Sequence, residues 1–316
     1  MQTEVRNSLK IDSNTNVIIG LGDSFVEGHG AYPTEVWEQL EFSKEKQDEE
    51  LNYGCGRYFE FHKYHHDNCF LSQLTKKYLV DYIPVNFGYS GNGNRAAVKA
   101  LTTMHPELNL EAAKNKIVIF YVGQFCRFDF FNNYGITGHN IFQTVWPHNP
   151  GDHMEPGRQE LWRGYATTVW NEKTEVLEFI SNVVEVQNWC KLNNAKLVIV
   201  NSFEPKFDKT YIESVLLKTN KWGDDAVLKH LLHSINWDNV MPIPKGYNSI
   251  CDLLSDKEDK PEFIGLEHNW YGWALDHCRD NKSFTPNGYF TPCAHPTIKG
   301  HELIAKIIFD YIKNGG

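Results

Sequence analysis

The chain has 316 residues with 41% apolar and 14% aromatic side chains, which excludes a disordered or fibrous class and implies a folded core. A net charge of -9 leaves no basic face to neutralise phosphates, so no nucleic-acid partner is expected. The longest apolar runs are far too short to span a bilayer and no signal peptide is legible, so a soluble protein made in the cytoplasm is expected.

Four short runs rich in Val and Ile read as buried strands: Asn16 to Gly22, Pro84 to Tyr89, Lys116 to Gly123 and Lys196 to Phe203. Each is apolar on both faces, the pattern of a parallel sheet covered by helices. Helical periodicity marks Phe70 to Val80, Asn94 to Met104, Thr174 to Asn193 and Thr297 to Lys313. This alternation predicts a three-layer α/β/α sandwich, flavodoxin-like in layout, with a mostly parallel sheet and ligands beyond the carboxyl ends of its strands. Residues 34–64, with the acidic run "EFSKEKQDEELN", and 207–292, rich in Pro, Gly, Trp and Asp, read as insertions in a single domain spanning 1–316.

Seven scattered cysteines without a C-x-x-C pair suggest reduced thiols. The cluster "HKYHHDNC" contains metal-ligand residue types in His62, His65, His66, Asp67 and Cys69, but its spacing matches no known site. It reads as part of a solvated insertion, and no metal or cofactor is expected.

Four segments stand in an order that could build one site. "GDSFVEG" follows the first strand and places Ser24 at an exposed strand end, with its N–H towards the cleft. "NFGYSGNGN" follows the second and offers the Gly91 N–H to a developing oxyanion. "YVGQFCRFD" follows the third, and "CAHPTIKGH" puts His295 just before the last helix.

With these motifs the sequence resembles the SGNH (GDSL) hydrolases, a family of serine esterases, lipases, thioesterases and carbohydrate deacetylases. The resemblance implies Ser24 as nucleophile, His295 as general base, and the N–H groups of Ser24 and Gly91 as oxyanion donors, with Asn86 and Gly88 in support. Two positions depart from the family pattern. The third block reads Gly123-Gln124-Phe125-Cys126 where the family has G-x-N-D, and Pro292 stands where the D-x-x-H block has its aspartate. Gln124, Asn92 or Asn94 could supply the missing amide, and Arg127 a charge. Asp276, Asp280 or a carbonyl near Pro292 could accept from the His295 Nδ1–H.

The implied activity is cofactor-free hydrolysis of a small acyl ester or acylated carbohydrate. The alternative is a catalytically degenerate binding or structural module. The third block loosely resembles SGNH-like proteins encoded by tailed phages, for which a virion location, virion or homo-oligomer contacts and an acylated surface glycan would follow.

Overall fold

The computed structural model describes residues 10–33, 62–89, 93–104, 108–123, 128–131, 142–145, 171–202, 208–218, 225–256, 289 and 295–315, with a few isolated positions between 160 and 168. Four parallel strands form the central sheet: β1 (Asn16–Leu21), β2 (Tyr82–Asn86), β3 (Asn115–Val122) and β6 (Ala195–Asn201), in the order β2-β1-β3-β6. Register runs from Asn16 opposite Tyr82 and Asn115, and from Lys116 opposite Ala195, so the carboxyl ends of all four strands open on one edge. Next to β6, among the described residues, a parallel bridge joins Ile199 to Val240, where the Met241 N–H donates to the Ile199 carbonyl at 2.9 Å.

Alternating side chains of these strands divide between two cores, as buried parallel strands require. Val17, Ile19, Val118, Phe120 and Ile199 face one side. There they meet α4 (Asn94–Lys99, continued by a π turn at Ala100–Met104), α5 (Glu172–Leu192), α6 (Lys209–Lys218) and α7 (Asp225–Ser234). Ile18, Ile117, Ile119, Val198 and Val200 face the other. That side is covered by α1 (Ser24–Glu27), α3 (Phe70–Lys77), α8 (Ile250–Asp256) and α9 (Ile298–Lys313), while α2 (His62–Asn68) packs on α3. The result is the expected three-layer α/β/α sandwich, and the four predicted strands and four predicted helices recur with boundaries shifted by at most three residues.

Helices α6 to α8 of the 207–292 segment have no core of their own. Ile212, Val215, Leu216 and Leu232 join the first core, and Ile250, Cys251 and Leu254 the second. A two-stranded antiparallel ribbon, β4 (Phe128–Phe131) and β5 (Phe142–Val145), leaves the sheet after β3 and is not foreseen in the sequence. Among the described residues no helix is long and apolar enough to cross a membrane. Cys69, Cys190 and Cys251 are buried free thiols, and burial pushes the Cys190 thiol up to about 12.

One buried polar contact ties the two outer helices of the second core together. The Phe70 N–H, at the start of α3, donates to His301 Nδ1 of α9 at 3.2 Å. Cys69 at the cap position makes no side-chain capping bond, so the imidazole takes that place. Accepting an N–H requires a neutral ring, and burial lowers the His301 pKa from 6.5 to about 3. A depressed folded-state value means that the unfolded chain binds more protons between these limits. The contribution of His301 is therefore complete above pH 6.5 and is lost as pH falls towards 3. We expect it to add a slope approaching about 1.4 kcal/mol per pH unit to the urea-unfolding free energy across that window. His301→Gln should flatten the profile there, and equal slopes in the two proteins contradict the assignment.

Candidate active site

The site begins where β1 ends. Asp23 caps the short helix α1 by accepting the Phe25 N–H at 3.1 Å, which turns the chain sharply and leaves Ser24 as the first helical residue. Beneath this turn Phe25 and Tyr121 stack at 6.1 Å between ring centres, and Tyr121 stacks on Phe70 at 5.5 Å.

Asn86, at the end of β2, fastens the same turn from the side. Its amide donates to the Val26 carbonyl at 2.7 Å, and its oxygen accepts the Gly88 N–H at 2.8 Å. A side chain at Gly88 would place its Cβ 2.2 Å from the Glu27 nitrogen, so the second-strand exit can approach α1 this closely only through glycine. Asn86 and Gly88 thus brace the turn that carries Ser24.

His295 arrives from the other end of the chain. Thr297 caps α9 by accepting the Gly300 N–H, and its own N–H donates to the Tyr289 carbonyl at 3.0 Å. These contacts fix the segment that carries the imidazole. His295 Nε2 lies 2.8 Å from Ser24 Oγ, across a sequence separation of 271 residues. Its ring packs against Phe25 at 5.6 Å and edge-on against His29 at 5.0 Å between centres. The pair can therefore pass a proton directly from the serine hydroxyl to the imidazole.

Three expectations need correction. Ser24 is not at an exposed strand end: it is 5% exposed, held in the first turn of α1 beneath His295. Asn94 is not available to an oxyanion, because its side chain accepts the Gly123 N–H at 2.8 Å and donates to the Gly123 carbonyl at 3.3 Å. That pair of bonds ties the start of α4 to the end of β3. The histidine cluster is not a solvated stretch. His65 and Cys69 are fully buried, His66 is half-buried and Asp67 is exposed, because α2 turns one face onto the turn after α1.

Gly28 makes that contact close. Its φ is +100°, and a Cβ there would sit 2.3 Å from the His65 carbonyl oxygen and 2.7 Å from Cys69 Cβ. Beside it the rings of His29 and His65 lie 4.7 Å apart, and Tyr32 OH bonds His65 Nε2 at 2.8 Å. The proximity of Glu27, His29 and Tyr32 to His65 is not foreseen from sequence, where roughly thirty intervening residues separate the two segments. Gly91, Asn92, Gln124, Phe125, Arg127, Asp276, Asp280 and Pro292 lie outside the described residues.

No family model matches the sequence, and no curated protein matches it. Among solved structures the chain is similar to the psychrotrophic esterase EstA from Pseudoalteromonas sp., at 13% identity over 95% of this chain and 97% of that one, TM-score 0.42. It is also similar to the acetylxylan esterase Axe2 from Geobacillus stearothermophilus, at 13% identity over 96% of each chain, TM-score 0.31. A third is a member of the lipolytic G-D-S-L family from Veillonella parvula, at 9% identity over 94% of this chain and 97% of that one, TM-score 0.32. At such identities and scores these likenesses carry no argument, and the chemistry rests on the site's own geometry.

Proposed function

We propose that the protein is a serine ester hydrolase of the SGNH type. The observation that carries this reading is the 2.8 Å approach of His295 Nε2 to Ser24 Oγ at the carboxyl edge of a parallel sheet, where such folds bind ligands. His295 Nε2 takes the Ser24 proton as Oγ attacks the ester carbonyl, and the resulting oxyanion is held by the N–H groups of Ser24 and Gly91. Ser24 stands at the start of α1, where the N–H groups of the next three residues, Phe25, Val26 and Glu27, are all taken by Asp23. Collapse expels the alcohol, which takes the proton from the imidazolium. Water, deprotonated in turn by His295, then releases the acid and restores Ser24. The reaction itself uses no cofactor, and its substrate class is a small acyl ester or acylated carbohydrate.

The second reading is a catalytically degenerate binding module. It is favoured by Phe125 and Pro292, which stand where an oxyanion asparagine and the triad aspartate would be. Losing one oxyanion donor costs about 10²–10³ in rate, so an uncompensated site would be slow. Incubation with a fluorophosphonate probe separates the two readings. Covalent labelling of the wild-type protein that disappears in Ser24→Ala is the result expected of the hydrolase. Absence of labelling at any pH between about 6 and 9 selects the binding module.

A further inference from the structure

The histidines around the nucleophile turn outnumber what a serine–histidine pair needs. Glu27 and His29 flank Gly28 just after α1, and His65 projects from α2, so two separate segments bring three ligand-type side chains together. Their exposures are 1%, 4% and 0%. One donor atom from each lies within 4.8 Å of the others. We propose that Glu27, His29 and His65 form a binding site for a divalent transition-metal ion, zinc foremost.

The donor set fits such an ion in kind. Two imidazoles and one carboxylate suit borderline cations, and three protein ligands leave a fourth, open position for water. The spacing fits as well. His29 Nε2 and Glu27 Oε2 are 3.9 Å apart, too far for a hydrogen bond. Two donors on one tetrahedral zinc, each at about 2.0–2.2 Å, lie roughly 3.4 Å from each other, so a small rotation of either side chain closes the gap.

The surroundings hold the ligands in place. Tyr32 OH engages His65 Nε2 at 2.8 Å; in the tautomer where that nitrogen donates, Nδ1 carries the lone pair a metal needs. An outer partner of this kind commonly orients a ligating histidine. Gly28, pressed against the His65 carbonyl, keeps the two segments in register. An ion here clamps the turn that carries Ser24 onto α2, a structural task independent of the ester-hydrolase reading. It also lies beside His29, whose ring meets that of His295.

The test uses the full chain, stripped of metal with a chelator and dialysed, and titrated calorimetrically with zinc chloride. One equivalent per chain is expected, with a rise in thermal midpoint on the order of 5 °C at saturating zinc. Glu27→Gln and His29→Ala should each weaken binding more than the roughly 10–100-fold that follows loss of an outer partner, whereas His230→Ala, on exposed surface, should leave it unchanged. Either ligand variant could fail to fold, so wild-type protein gives an independent reading. Loaded with Co²⁺, it should show the intense visible absorption of a four- or five-coordinate ion. No stoichiometric uptake, a hexaaqua-like cobalt spectrum, or zinc affinity unchanged in folded Glu27→Gln and His29→Ala overturns the proposal. Fluorophosphonate labelling without zinc uptake removes the metal site alone, and zinc uptake without labelling removes the hydrolase alone.

Discussion

Replacing Ser24 by alanine should lower kcat/KM for a short p-nitrophenyl ester by about 10³-fold or more, because the nucleophile and its base act as a unit and the remaining oxyanion donors give only residual catalysis. The protein should meanwhile keep its fold. Oγ makes one hydrogen bond in the described structure, to His295 at 2.8 Å, and the α1 cap is provided by Asp23 instead. Such a bond contributes about 1 kcal/mol, which moves the thermal midpoint of a chain this long by no more than about 4 °C. Full turnover in the variant places the chemistry on another residue. A collapse of the thermal midpoint assigns the serine a structural role.

The second large effect concerns backbone rather than chemistry. Gly28→Ala should destabilise the protein by about 3 kcal/mol or more, measured as a fall in the urea midpoint at unchanged slope. Two causes add. The φ of +100° lies where an L side chain is strained by about 1–2 kcal/mol. The new methyl would also meet the His65 carbonyl at 2.3 Å, a backbone atom that cannot swing aside. Relieving that clash must part α2 from the turn that carries Ser24. The variant should therefore lose ester hydrolysis together with stability, and a stable, fully active Gly28→Ala protein contradicts the contact.

How much of this was legible beforehand depends on the range of the interaction. The strands announce themselves because Val17 to Leu21 and Ile117 to Val122 are continuous runs without a charged or polar-headed interruption other than the Tyr121 hydroxyl, a strictly local signal. Ser24 and His295 are legible as a pair through the resemblance of "GDSFVEG" and "CAHPTIKGH" to motifs of the SGNH pattern, and the structure brings them within 2.8 Å. The β4–β5 ribbon escapes notice because four residues are too few to establish a period, and ten residues separate its strands. The burial of His65 escapes for a different reason. Its neighbours His62, Lys63, His66 and Asp67 look solvated, and the face that turns inward is decided by a glycine 37 positions away. Asn94 is misread as an oxyanion donor because its partner, Gly123, belongs to another strand exit.

The separation between Ser24 and His295 also sets when the two can meet in a growing polypeptide. At synthesis rates of about 5–20 residues per second, the 271 residues between them take roughly 14–54 s to make. Throughout that interval the turn that carries Ser24 exists without His295. The same late segment brings α9, whose Ile304, Ala305 and Ile308 fill one side of the sheet and whose His301 caps α3. Completion of the second core and closure of the Ser24–His295 contact are therefore a single event, which waits on the docking of α9.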